Sequence, residues 1–295
     1  MVENKEIKAL LQLIDDPDEE VFNTVSNRII SFGKIIIPNL EDIWEHSTNE
    51  ALQERIEQMI HKLHFKDLTA DFETWKNGSN SLLEAAFLTA KYHYPEIQTL
   101  QTQQEIEKIR RNIWLELNNY LTPMEQVNVI SSILYNYYKL TGGETLYDQP
   151  EDFFINKTVE SKKGNAFSNG ILYLALCENL DIPVRAINIP KQFILAYIDT
   201  QHSLIHPTAS NIEKIKFFID PLNGHIYSHK DVENYFKRIL VPATPSYFKE
   251  QSNKKVIQLL LEEISKCFDN DLNQYKREEL LFLSNLLSDD ISHSE

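Results

Sequence analysis

A chain of 295 residues with 29 basic and 44 acidic side chains, formal net charge −15, repels phosphate backbones and anionic lipid surfaces. General nucleic-acid binding and membrane adhesion are therefore disfavoured. At 42% hydrophobic and 25% charged residues, with 7 glycines and 11 prolines, it reads as an ordinary globular protein rather than a low-complexity one.

The N-terminal stretch, "MVENKEIKALLQLIDD", shows no basic segment followed by an apolar core. No run approaches the roughly 20 apolar residues of a membrane span. The two cysteines, Cys177 and Cys267, make no disulfide framework. A cytoplasmic location is expected.

The first half reads as helices. Ile7, Leu10, Leu11 and Ile14 recur at helical spacing. "DPDEEV" offers a start signal, with Asp16 as cap, Pro17 at the first helical position and Glu19 three residues after the cap. The helix that follows carries Val21, Val25, Ile29 and Ile30 and stops at Gly33. A short piece spans residues 35–44, and a helix over residues 50–63 carries Ile56, Met59, Ile60 and Leu63. Further helices are predicted over 81–92 and 103–120. Another runs over 123–140, with Thr122 as cap, Pro123 at the first position and Glu125 at the third. Its aromatic stripe in "NVISSILYNYYKL" reads as core. Short amphipathic helices of this kind stack as a bundle or an α-solenoid. "TGGETLYDQPED" is the clearest break, with Gly142 and Gly143 ending one helix and Pro150 opening the next.

The period then changes. After a helix over 152–160, "KKGNAFSNGILYLALCENLDIP" gives a glycine turn and a helix that is apolar nearly all round from Ile171 to Cys177, hence buried on all sides. "VRAINI", "QFILAYID" and "IKFFID" read as short strands, and "SHKDVENYFKRI" as a helix capped by Ser228, with Asp231 three residues on. A buried helix against an antiparallel sheet is an α+β core. "SNKKVIQLLLEEISKCFDNDLNQYKREELLFLSNLL" reads as an antiparallel helix pair, striped by Val256, Leu259, Leu260 and Ile264 and by Leu280, Leu283, Leu286 and Leu287.

The turn Lys163-Gly164-Asn165, the segment "ILYLALCENLDIPVRAINIP", the Phe193 after it and "FIDPLNG" together resemble the transglutaminase-like (papain-like) core of bacterial Sir-type (invasion-regulator B) proteins. The N-terminal helices, with "DDPDEEV", "PNLE" and "LLEAAFLTAKYHYPEI", resemble the same family, and "LLQLIDDPDEEVFNTVSNRIISFGKIIIPNLEDIWE" resembles a HEAT-type helical hairpin. The expected layout is a helical, HEAT-like domain over 1–141, a transglutaminase-like core over 142–241 and a C-terminal helix pair over 242–295.

The resemblance implies a Cys-His-Asp site. The cysteine would follow the glycine turn, where this chain has Ala166. The histidine would open the next strand, where it has Gln192. The aspartate matches Asp220. Alanine has no nucleophilic atom and glutamine is no general base. Asp220 then has no imidazole to orient and can instead cap the turn of residues 221–224. Cys177 lies eleven positions after Ala166, roughly 16 Å further along the helix, and cannot serve the same site. Ser168 points about 200° round the helix from Ala166 and, with Asn165 and Asn169, suits capping of the first turn. The pairs His202/His206 and His225/His229 have helical ligand spacing but fall in a loop and across a turn, so no metal is expected.

Two functions follow from these residues. One is a catalytically inactive transglutaminase-like fold kept as an interaction or regulatory module, with a protein partner and no cofactor. The other is an amidase, peptidase or acyltransferase of the same superfamily with a rearranged site.

Overall fold

The computed structural model describes residues 5–78, 80–200, 205, 210–269 and 273–288. They form two compact units, divided between Asp71 and Phe72.

The first unit contains α1 (Lys5–Gln12), α2 (Glu19–Ile30), a 3-10 turn over Gly33–Ile36, α3 (Ile37–His46) and the greater part of α4 (Glu50–Asn77). Ile7, Ile14, Val25, Ile29, Leu40, Ile56, Met59 and Leu63 form its core. The cap of α2 is Asp18 rather than Asp16. Asp18 accepts from the Glu20 N–H at 2.9 Å, while Asp16 accepts from the Asp18 N–H and only turns the chain into the cap. Pro17 therefore stands outside the helix. Nor does α4 stop at Leu63. Leu68, Phe72 and Trp75 continue its apolar stripe at helical spacing and are all buried.

The second unit begins with α5 (Leu82–His93), α6 (Thr99–Glu116) and α7 (Pro123–Ser131). Thr122 and Glu125 close the expected capping box on α7. From Ser132 to Tyr137 the same helix widens into a π turn. Then come β1 (Thr141–Gly142), a 3-10 turn over Pro150–Phe153, α8 (Ile155–Ser161), β2 (Lys163–Gly164) and α9 (Ala166–Glu178). The short strands β1 and β2 pair in parallel, a contact with no sequence signal.

Beyond α9 lie β3 (Val184–Ile189), β4 (Gln192–Ile198), β5 (Ile215–Ile219), β6 (Ile226–Tyr227), α10 (His229–Ile239), β7 (Glu250–Gln251), α11 (Asn253–Ser265) and α12 (Gln274–Leu286). The sheet has the order β6-β5-β4-β3-β7 and is antiparallel throughout. This is the α+β architecture expected from the period change.

The sheet separates two apolar layers. Ile187, Ile189, Ile194, Ala196 and Phe218 face Val232 and Phe236 of α10 and Phe248. On the other side, Phe193 meets α9 through a stack with Phe167 and through the close approach of Gly170. Each residue from Ile171 to Cys177 is at most 6% exposed. A helix with no polar face needs cover on the side away from the sheet, and α5 and α8 supply it.

The expected boundaries at 141/142 and 241/242 are therefore not boundaries between compact units. α5, α6 and α7 belong with the sheet, and α11 packs on both α12 and α5. Gly142 and Gly143 end a secondary element without ending a core. Among the described residues, no helix is long and apolar enough to cross a membrane.

Candidate functional site

The first turn of α9 satisfies itself. Asn165 stands in extended backbone, and its Oδ1 accepts from the N–H groups of Phe167 (2.9 Å) and Ser168 (3.1 Å). Ser168 Oγ returns the bond by accepting from the Asn165 N–H at 3.1 Å and donates to the Asp152 carbonyl at 2.6 Å. This reciprocal capping leaves Ser168 buried and committed to structure. Ala166, one residue inside the cap, is half-buried.

Gln192 opens β4 directly after a two-residue loop. Ile189 pairs with Gln192, and Lys191 between them has φ +61°. Asp220 directly follows β5. Since Leu195 pairs with Ile219, the register puts Asp220 level with Ile194, two residues from Gln192 along β4. The Asp220 carboxylate is engaged twice. One oxygen accepts from the Leu222 N–H at 2.9 Å, and the other accepts from the Tyr227 hydroxyl at 3.2 Å. Burial and this carboxylate together hold the Tyr227 phenol above its ordinary pKa.

The turn of residues 220–224 is itself gripped. Tyr135, on the π turn, donates to the Pro221 carbonyl at 2.8 Å, and Ser131 donates to the Gly224 carbonyl at 3.4 Å. Burial, and then Asp220, push the Tyr135 phenol far up. Gly142 approaches so closely that a Cβ there would lie 2.6 Å from the backbone of Leu222.

Ala166, Gln192 and Asp220 all line one open cleft of about 970 Å³. They do not reach it from one direction. Gln192 shares the strand face of Ile194, on the α10 side, whereas α9 lies against the Phe193 face. The three positions line the cleft at the edge of the sheet where β4 begins and β5 ends.

Sequence reasoning missed the rest of the lining. Asp231, Asn234, Tyr235 and Arg238 are spaced i, i+3, i+4 and i+7 on α10 and face the cleft together. That stripe is legible once the Ser228 capping box fixes the helix start, but in sequence it is indistinguishable from a solvated face. Tyr235 donates to the Pro190 carbonyl at 2.7 Å, joining α10 to the β3–β4 loop, and the Arg238 guanidinium lies 5.5 Å from the Tyr235 ring centre. Glu144, Thr145 and Tyr147 come from the loop after β1, and Glu263 and Lys266 from the end of α11. No pattern in the sequence brings those segments together.

Among the described residues lining the cleft there is no cysteine, serine or histidine. Cys177 is fully buried, and burial pushes its thiol pKa far up. Cys267 is pushed up to about 12, chiefly by burial. His202 and His206 lie outside the described residues. His225 is exposed and meets Tyr227 edge-on, and His229 lies within 3.3 Å of the Ile212 carbonyl. No cluster of three or more metal-ligating side chains occurs among the described residues. What the cleft offers is side-chain amides, phenols, rings and charges of both signs.

A family model described as transglutaminase-like superfamily matches residues 100–262. A UPF0162 protein of Buchnera aphidicola is 22% identical over 165 residues, 56% of this chain and 57% of that protein. The chain thus spans little more than half the length of that relative. Protein SirB1 of Salmonella typhimurium and the UPF0162 protein YchA of Escherichia coli K12 are each 22% identical over 198 residues, 66% of this chain and 68% of theirs. No solved structure matches. The family match covers more than half of the chain and all of the cleft except Glu263 and Lys266, so the chain belongs to the transglutaminase-like superfamily, alongside proteins of the SirB1 and UPF0162 type.

Proposed function

We propose that this protein is a catalytically silent transglutaminase-like protein whose cleft recognises an extended segment of a protein partner. The observation that carries the proposal is the composition of the cleft. It is open and lined by amides, phenols and rings, yet its described lining residues include no thiol, serine hydroxyl or imidazole. Acyl transfer by this superfamily's route needs a nucleophile and a base within hydrogen-bond reach. With Ala166 and Gln192 at those two places, differential stabilisation of a tetrahedral intermediate has nothing to act on. Binding has no such requirement. A polypeptide offers amides for Asn188, Gln192 and Asn234, and apolar side chains for the half-buried rings of Tyr227, Tyr235 and Tyr247. The helical first unit, which we read as HEAT-type, is a second surface of the kind that holds partners.

The test combines turnover with binding. Arrayed peptides of mixed sequence are screened against the protein by fluorescence polarisation, and the same peptides and a set of esters are followed for hydrolysis and transamidation. Saturable binding without turnover, lost on filling the cleft by Ala166→Trp at unchanged melting temperature, supports the proposal. Turnover by the unmodified chain transfers the cleft to the alternative, an amidase, peptidase or acyltransferase with a rearranged site. Binding that survives Ala166→Trp places the partner elsewhere.

A further inference from the structure

The loop between β1 and the 3-10 turn at Pro150 is held at both ends and is nearly free between them. At its start, Gly143 donates to the Gly164 carbonyl at 3.0 Å and Gly142 is wedged against Leu222. At its far end, Asp152 donates to the Gln149 carbonyl, and the Asp152 carbonyl accepts from Ser168. Among the described residues, no backbone–backbone hydrogen bond involves residues 144–148. Leu146 and Tyr147 are 44% and 42% exposed, and Glu144, Thr145 and Tyr147 line the cleft.

One side chain ties the middle of this loop to the opposite wall. The Tyr147 hydroxyl donates to Glu263 Oε2 at 2.7 Å, and the other oxygen of Glu263 pairs with Lys266 at 2.6 Å. The Lys266 ammonium lies 5.6 Å from the centre of the Tyr147 ring. Behind it, Tyr147 stacks on Phe153, Phe153 meets Phe167, and Phe167 stacks on Phe193, so a row of rings leads from the tie to the residue beside Ala166.

We infer that residues 143–149 form a strap across the mouth of the cleft, latched by Tyr147 to Glu263, and that releasing this latch admits large ligands. Segments with few backbone bonds and little buried surface open at low free-energy cost, and here the contacts of one side chain, chiefly the charge-assisted hydrogen bond of Tyr147 to Glu263, stand between the closed and open forms. Burial and Glu263 hold the Tyr147 phenol up to about 12, so it remains a donor at neutral pH. The strap would regulate the cleft proposed above and rests on that reading for its purpose. Its closure is tested without a ligand, so a cleft that binds no peptide and a strap that does not gate are separate failures.

The experiment places a reporter thiol in the lining of the cleft as Ala166→Cys in a Cys267→Ser background. Labelling at position 166 is followed by mass spectrometry with two reagents, iodoacetamide and a fluorescein maleimide. Tyr147→Phe and Glu263→Ala should each speed the bulky reagent about tenfold, the factor that goes with losing about 1.4 kcal/mol of latch. The iodoacetamide rate should stay nearly constant. An unchanged ratio of the two rates in both variants overturns the strap. So does an equal rise with both reagents, which reports local unfolding rather than gating.

Discussion

Phe167 and Phe193 stack with their ring centres 4.7 Å apart. Each follows a position that matters, Phe167 after Ala166 and Phe193 after Gln192. The stack welds the start of α9 to the start of β4 from the apolar side of the backbone. It sets how closely the neighbouring pair can meet at the cleft.

That weld yields the first prediction. Ala166→Cys combined with Gln192→His should give a thiol that alkylates at lower pH than a free cysteine. A helix N-terminus and an imidazolium both favour thiolate, so the midpoint of the alkylation profile should fall below ~8.5. Asp220→Asn should raise it again in part. A midpoint near the free value that ignores both position 192 and position 220 means that these residues never act as one site.

The second prediction concerns α9. Leu174 is 6% exposed on a helix covered on all sides. Leu174→Lys should cost several kcal/mol, because an unpaired charge would be buried, and should unfold the second unit at ambient temperature. Circular dichroism decides it. A variant that melts where the unmodified protein does contradicts the burial.

Cys177 carries a pH signature of the same packing. Its pKa is raised in the folded state, so its contribution to stability is complete below the unfolded thiol value and declines as pH climbs above it. Above ~8.5, the unmodified protein should lose stability relative to Cys177→Ala by about 1.4 kcal/mol per pH unit. Parallel melting-temperature curves for the two proteins from pH 7 to 10 would refute this.

Two adjacent glycines provide a paired test of the turn at Asp220. A Cβ at Gly142 would sit 2.6 Å from backbone atoms of Leu222, whereas one at Gly143 meets nothing within 4 Å. Gly142→Ala should cost about 1–3 kcal/mol by overpacking, and Gly143→Ala close to nothing. Urea denaturation of the two variants measures the difference. Equal midpoints would mean that β1 does not press on the turn.

Tyr135→Phe is the complementary probe from the other side. It removes the donor to the Pro221 carbonyl while keeping the ring, so about 1–2 kcal/mol should be lost. Denaturation midpoints measure it, and a neutral result would mean that the π turn does not hold this segment.

The sequence carried the helix caps at Thr122 and Ser228, the buried helix and the three long strands, because each rests on local chemistry that a short window displays. It placed Ala166, Gln192 and Asp220 through resemblance, and the structure shows them lining one cleft. It did not carry the extent of α4, where His64, Lys66 and Asp67 between Leu63 and Leu68 mimic a stop. It also did not carry the grouping of α5, α6 and α7 with the sheet, since tertiary contacts decide that: α5 covers α9, and α6 packs on α8 and α7. The lining from Tyr147 and Glu263 was illegible for a different reason. These residues meet across more than a hundred positions, through a loop whose backbone obeys no period.

The β3–β4 loop has only two residues, and Ile189 pairs with Gln192 across it. Strand side chains alternate, so a slip of one residue would send Phe193 to the α10 side and Gln192 into the α9 packing. The same register that seats Phe193 in the core therefore aims Gln192 at the cleft, and neither can drift without the other. Fold integrity alone therefore fixes how positions 166, 192 and 220 stand to one another, whatever side chains occupy them.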